Sequence, residues 1–435
     1  MKFFTKDSKQ INGWAFYDWA NSAYPLVITS AIFPIYYSKV ASHGKKMIEG
    51  EVVDIVNFFG FEFINTELYS YAFSFSFLLV SLMAPILSGI ADYVGNKKLF
   101  LKFFCYLGSV SCISLYFFNM DRFELSVLSI VLASVGFWGS LVFYNAFLPE
   151  IAPPEEHDRI SAKGYSWGYI GSVVLMLGNV VGMLVFDMPA KYAFVTVGLW
   201  WAGFAQITYI HLPKERGIKE SKAFSSIVFN GYRELKNVWR EFMKLVRLKR
   251  YLLSYFVYSM GVQTVMLMAV IFGNKEIDWP EGDTTGLLIA VLIIQLIGAV
   301  GAWFFARLSK KTSNLLVLKI ILFIWVFICM MAYYIHKPIE FYILAAVVGF
   351  VMGGVQSMSR STYSKFLPET KDHASYFSFF DVLEKIGIVI GTFLFGFIQG
   401  VTGDMRNSVL VLILFFVVGF LLLLFVPKNE RIRTA

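Results

Sequence analysis

Apolar runs of about twenty residues recur from one end of this chain to the other, each long enough to cross a hydrocarbon core of roughly 30 Å. Twelve are expected, at 14–38, 67–91, 97–118, 123–147, 163–186, 192–211, 251–272, 284–307, 314–335, 339–362, 374–399 and 407–426. A segment inside lipid must satisfy its own backbone hydrogen bonds, which a helix does, and these runs far exceed the roughly 10-residue alternating strands of a barrel. Only 16% of the 435 residues are charged, against about 25% in soluble domains, so too little polar surface remains to solvate a globule of this size. The expected fold class is an all-α integral membrane protein with twelve transmembrane helices. The one long charged interval, 213–250, divides the spans six and six. That gives an N-terminal six-helix bundle at 1–212, a linker at 213–250 and a C-terminal six-helix bundle at 251–435.

Lys and Arg set the orientation. With a cytoplasmic N-terminus, 29 of the 38 fall on the inner side and 8 on the outer, while Lys385 lies inside a span. This positive-inside bias places both termini in the cytoplasm. The net charge of +8 then reflects topology and contact with anionic lipid, and nucleic acid is not an expected partner. The polar, basic N-terminus precedes a full-length span, which argues against a cleavable signal peptide. No N-x-[ST] sequon occurs, compatible with a bacterial plasma membrane. Within the linker, Val228, Tyr232, Leu235, Trp239, Phe242 and Val246 repeat at helical spacing, with Arg233, Lys236, Arg240, Lys244 and Arg247 on other faces. This reads as a basic amphipathic helix at 225–250 lying on the anionic inner leaflet. Cys105, Cys112 and Cys329 fall within spans and read as packing residues. All five histidines lie in loops or at span ends, so neither a metal site, a cofactor nor a mid-membrane histidine relay is expected.

YNAFLPE at 144–150 recurs as YSKFLPE at 363–369, and Glu150 and Glu369 close the fourth and tenth spans on the same side. A shift of six spans preserves orientation, so the halves form a parallel repeat related by an axis along the membrane normal. Between spans 2 and 3, GIADYVGNKKLF (89–100) resembles the major facilitator loop pattern G-x-x-x-D-R-x-G-R-K. Asp92, Gly95 and Lys97 match it, whereas Ser88, Tyr93 and Asn96 depart from it. Gly95 permits a tight turn, and Asp92 can meet a helix N-terminus or a basic partner across the bundle boundary.

WAFYDWANSAY (14–24), GVQTV (261–265) and GGVQSMSRSTYSKFLPE (353–369) together resemble the vacuole effluxer family, within the major facilitator superfamily, over nearly the whole chain. The resemblance implies twelve spans and release of small solutes, with neutral amino acids the substrates of the fungal members. Relatives often carry an acidic residue just before GVQT, where this chain has Met260.

Several intramembrane residues could carry transport. Asp18, Ser22, Pro25 and Thr29 form one stripe on span 1, with Asn21 beside it. Either the stripe faces a central cavity, since a charge at membrane depth is costly elsewhere, or Asp18 pairs with a neighbouring helix. Span 11 carries Asp381, Glu384 and Lys385; the acid precedes the base by four residues, the favourable order for a helical ion pair. These three charges sum to −1, which leaves a carboxylate placed to hold a proton; the alternative is a static internal salt bridge. Arg360, with Gln356 and Tyr363 on its face, could bind a substrate carboxylate or pair with Glu369 or with an acid of span 11. Gln263 belongs to a neutral polar row with Tyr255 and Ser259, read as cavity lining or as interhelical glue. Glycines punctuate spans 5 and 11 and read as close-packing positions, which could also form sliding seams, while Tyr165, Trp167 and Tyr169 fit an interfacial belt.

The expected function is secondary active transport by alternating access, exporting small neutral or zwitterionic solutes such as amino acids, with proton antiport as its coupling; the chain works as a monomer. A passive facilitator, a channel or a non-transporting sensor is the alternative. No nucleotide-binding motif and no catalytic constellation occurs, so an enzyme is not expected.

Overall fold

The computed structural model describes residues 8–48, 51–213, 224–280 and 285–429. Residues 214–223 of the linker, and the side chain of Val228 in its apolar stripe, lie outside the described residues. In chain order the helices are α1 (Lys9–Asn21), α2 (Ile32–Val40), α3 (Asn65–Val94), α4 (Lys97–Ser114), α5 (Phe123–Ala146), α6 (Leu148–Ile151), α7 (His157–Val185) and α8 (Lys191–His211). They continue with α9 (Phe224–Phe242), α10 (Val246–Glu276), α11 (Thr285–Lys311), α12 (Asn314–Tyr334), α13 (Pro338–Phe366), α14 (His373–Thr402) and α15 (Met405–Leu424). Among the described residues ten helices are long and apolar enough to cross a bilayer. Two further segments are as long: the α1–α2 stretch, and α14, which carries three charges between Asp381 and Lys385.

Between α1 and α2 the chain is π-helical from Tyr24 to Ala31, with Pro25 at its first turn. Pro25 lacks an N–H, and the Ile32 N–H bonds back to Val27 O, five residues away. The wider turn interrupts the α-helical ladder where the first span crosses the middle of the bundle. The α3–α4 turn depends on Gly95, whose φ of 68° a side chain would resist, and on Asn96, whose side chain caps α4 by accepting from the Leu99 N–H.

One element was not foreseen. The segment between the first two spans folds into an antiparallel sheet of order β1-β2-β3: β1 (Gly44–Ile48), β2 (Glu51–Phe58) and β3 (Phe61–Ile64). The β2–β3 turn is the two-residue Phe59-Gly60, both at positive φ (50° and 83°), a pairing whose twist suits a tight hairpin.

In the N-terminal half α1 packs on α7 and α8, and α5 on α3 and α4; in the C-terminal half α10 packs on α14 and α15, and α11 on α13. The halves meet where α7 touches α11 and α13, and where α14 touches α3 and α5. The close packing expected of these glycines is found, chiefly within each half. A side chain at Gly164, Gly168 or Gly171 would strike Asp18, Ser22 or Trp19 of the first span, and one at Gly387 or Gly391 would crowd α10. Gly168 and Gly387 are 219 residues apart, the same offset as the YNAFLPE repeat, and each faces a serine, Ser22 and Ser259. The repeat is therefore written into the packing of α7 on α1 and of α14 on α10.

Helix α9 docks on α3 and α14, one from each half. Its stripe does not turn as one face: Val238 and Phe242 are buried, while Tyr232 and Trp239 are exposed. Phe242 and Trp239 pack on Phe379 at ring separations of 5.5 and 5.3 Å, and Asn230 Nδ2 donates to Tyr93 OH at 3.1 Å. Gly231 allows the docking, because a Cβ there would lie 2.7–2.9 Å from Ile90. Gly231→Val is expected to undock α9, at an overpacking cost of about 1–3 kcal/mol. Limited proteolysis checks this: the variant should be cut within 224–242 faster than the parent, and equal rates would refute the docking role of this glycine.

Candidate functional site

The helices enclose a central cavity of about 180 Å³. Asp18, Asn21, Ser22, Pro25 and Thr29 line it from the first span, and Gln263, Gln356, Arg360, Asp381 and Glu384 from the C-terminal half. The π-helical turn keeps Pro25 and Thr29 in the same wall as the α1 residues.

Two charge clusters border the cavity. In the first, Arg360 Nη2 donates to Asp18 Oδ2 at 3.0 Å, and Nη1 reaches Asp18 Oδ1 at 3.5 Å. Asp18 Oδ2 also accepts from Tyr144 OH at 2.8 Å. The guanidinium lies 4.1 Å from the Tyr165 ring centroid and 4.8 Å from that of Trp14. Both partners are almost wholly buried, Asp18 at 4% and Arg360 at 2% exposure. Desolvation of such a pair is offset only by close geometry and further hydrogen bonds, both of which are present. Gly164 leaves the room: a Cβ there would strike the Asp18 carboxylate.

In the second cluster Lys385 Nζ is 2.6 Å from Asp381 Oδ1, 3.1 Å from Glu384 Oε2 and 3.8 Å from the Trp138 ring centroid of α5. Glu384 Oε1 accepts from Gln263 Nε2 at 2.6 Å. Between the clusters Tyr169 OH donates to Gln356 Oε1 at 2.5 Å, another bond from one half to the other.

Below the cavity, toward the end carrying α9, the halves are bolted together. Asp158, at the start of α7, is 1% exposed and accepts from three residues of the other half. These are Lys365 Nζ and Asn314 Nδ2, both at 2.6 Å, and Ser309 Oγ at 2.7 Å. Asp92 Oδ2 accepts from the N–H and hydroxyl of Ser375, both at 2.7 Å, in the first turn of α14, where the helix dipole favours an anion. Glu150 pairs with Lys97 and, at 2.9 Å, with His373 of the other half. Ser161 Oγ donates to Ser357 O at 2.8 Å, and Ser166 Oγ to Ala299 O at 2.8 Å.

A family model described as "Vacuole effluxer Atg22 like" matches residues 6–435. The chain belongs to the vacuole effluxer family. It is 30% identical to the MFS-type transporter YxiO of Bacillus subtilis (strain 168), over 99% of this chain and 96% of that one. It is 23% identical to autophagy-related protein 22-1 of Phaeosphaeria nodorum, over 93% and 88%. The crystal structure of the E. coli fucose:proton symporter FucP superposes with a TM-score of 0.64 at 15% identity, covering 99% of this chain and 100% of that one, which shows the major facilitator fold. This effluxer-family member is thus a multi-pass membrane protein of the MFS transporter type.

Within that fold the effluxer motifs converge. WAFYDWANSAY supplies Trp14, Asp18, Asn21 and Ser22, and GGVQSMSRSTYSKFLPE supplies Arg360, which meets Asp18 across 342 residues of chain. Three sequence expectations need correction. Arg360 pairs neither with Glu369, which is exposed, nor with an acid of α14, but with Asp18. Tyr165 and Tyr169 line the cavity and are not belt residues, while Trp167 packs on Phe16 with ring centroids 4.7 Å apart. Glu150 and Glu369, equivalent in the repeat, are not equivalent in space, since only Glu150 reaches the interface between halves. Asp158 escaped notice because its partners lie on three different helices; its one signal was a carboxylate at the first turn of a span.

Proposed function

We propose that this protein is a secondary active transporter working by alternating access, exporting small neutral or zwitterionic solutes such as amino acids in exchange for protons. The observation that carries the reading is a cavity shared by both halves and bordered by two charge clusters, closed at the α9 end by Asp92, Glu150 and Asp158. The units that rock are residues 1–212 and 251–435, joined by the 213–250 linker. Both termini and α9 face the cytoplasm of a bacterial cell, with the chain in the plasma membrane as a monomer, so the closed end is the inner one. The state described here is then the one from which an exporter releases its solute. Asp18, Asp381 and Glu384 are the carboxylates through which a proton exchanges for the solute, while Arg360 and Lys385 hold them when empty. The exposed Tyr232 and Trp239 of α9, beside Arg233, Lys236 and Arg240, rest on the anionic leaflet.

Reconstituted protein tests this with a solute panel, with and without a pH gradient, alongside Asp18→Asn and Glu384→Gln. Gradient-driven flux is expected to fall at least about tenfold in each variant, the scale of about 1.4 kcal/mol of lost coupling, while solute exchange persists in Asp18→Asn. Unchanged pH dependence in both variants would refute the coupling role, and ion conductance in place of saturable flux would indicate a channel.

A further inference from the structure

We infer that the cavity recognises its solute by an ammonium group, held at Asp381 and Glu384, and that Arg360 does not read a solute carboxylate. The inference rests on the transport reading above and names the chemistry of the same site.

The charged groups around the cavity are unequally committed. Every guanidinium nitrogen of Arg360 is already engaged. Nε donates to Ser161 Oγ at 2.9 Å, and Nη2 to Ser161 O at 2.9 Å as well as to Asp18. Nη1 reaches Asn145 Oδ1 at 3.4 Å in addition to Asp18. A solute carboxylate would have to displace Asp18 and leave it buried without its counter-ion. Lys385 is wholly buried and spends its ammonium on Asp381, Glu384 and the Trp138 ring. Neither cation has a donor to spare.

The acceptors are different. Asp381 lines the cavity at 4% exposure, yet its Oδ2 has no hydrogen-bond partner among the described residues. An orphaned buried acceptor costs about 1–3 kcal/mol, more when charged, and an N–H donor from a solute relieves it. Glu384 lies one turn along the same wall; each of its oxygens accepts one bond, from Gln263 or Lys385, and keeps a second lone pair that a spent N–H donor lacks. With all groups ionised, Asp18, Asp381 and Glu384 outnumber Arg360 and Lys385, so the site favours a cation. Trp138, Tyr255 and Phe380 complete the wall with aromatic rings that suit an alkylammonium and its apolar body; Tyr255 and Phe380 are stacked at 4.0 Å. On the side of the first span, Asn21 offers one unused neutral donor: its Nδ2 is buried without a partner and the residue lines the cavity. A zwitterion would therefore place its amino end on Asp381 and Glu384 and its carboxylate on the Asn21 amide. The charge of that carboxylate would count for little.

Three probes sharing one aromatic body separate the readings: phenethylamine, phenylalanine and 3-phenylpropionate, titrated calorimetrically into the full chain in nanodiscs. Phenethylamine and phenylalanine are expected to bind within about tenfold of each other, and 3-phenylpropionate at least about tenfold more weakly. Asp381→Asn and Glu384→Gln should each weaken phenethylamine by about tenfold or more, and Asn21→Ala should weaken phenylalanine more than phenethylamine. Melting temperatures report whether each variant folds; if Asp381→Asn does not, Glu384→Gln carries the test. The inference is overturned if 3-phenylpropionate binds as tightly as the amine, if phenethylamine does not bind, or if both carboxylate variants retain full affinity for it. Amine binding without flux in proteoliposomes would overturn the transport reading and leave the ligand chemistry standing. Flux of anions alone would do the reverse.

Discussion

Replacing Arg360 with leucine is expected to cost about 3–5 kcal/mol of stability, the range for removing one partner of a buried ion pair. The substitution leaves Asp18, 4% exposed, with Tyr144 as its remaining hydrogen-bond donor among the described residues. It also removes the cross-half bonds to Ser161 and Asn145. Asp18→Asn alone should cost a similar amount by stranding the guanidinium. The double variant should recover much of the loss, because no charge is then left buried and unpaired. Thermal unfolding of the four proteins in detergent measures this as a double-mutant cycle. Strict additivity of the two single effects would show that the pair is not coupled, and would remove the main reason for treating Asp18 and Arg360 as one device.

Asp158→Ala should release the closed end. The side chain accepts three hydrogen bonds from α11, α12 and α13, one of them from the Lys365 ammonium. Hydrogen bonds to a charged group contribute about 1.5–3 kcal/mol each. All three cross between halves, so each favours the closed arrangement alone, and only such a difference shifts a two-state equilibrium. A net loss of about 3 kcal/mol moves the closed-to-open ratio by roughly a hundredfold. Ser357→Cys reports on it: this position is wholly buried at the interface, and native Cys105, Cys112 and Cys329 are buried too. Maleimide labelling of the reporter should accelerate by about two orders of magnitude in the Asp158→Ala background. An unchanged labelling rate would mean that Asp158 only packs α7 and does not bias the gate.

Much of the fold was legible because lipid simplifies the problem. A helix that must satisfy its own backbone announces itself as an apolar run, and the π-helical first span still reads as one run from Trp14 to Tyr37 because the interruption costs no hydrophobicity. The Asp381–Lys385 pair was legible for the same local reason, since four residues on a helix place two side chains side by side. The sheet at 44–64 was not, because it is short, lies outside any apolar run and is closed by a hairpin whose first turn residue is Phe59. The α9 stripe was half legible: its period is helical, but its neighbours α3 and α14 bury Val238 and Phe242 and leave Tyr232 and Trp239 outside.

By itself the sequence determined what one segment decides alone: a series of membrane-length runs with a motif repeated at an offset of 219 residues, their charge asymmetry, and which residues put charge where water is scarce. Only the tertiary structure decided which charges on different helices meet. Asp18 and Arg360, 342 residues apart, are brought to 3.0 Å by the packing of α13 on α7 and of α7 on α1, and Asp158 finds its three partners on three other helices. Local hydrogen bonding and hydrophobicity act over a few residues and so leave a mark in the order of the chain. Pairing across a bundle depends on the closure of many helix contacts at once, which no short stretch of sequence records.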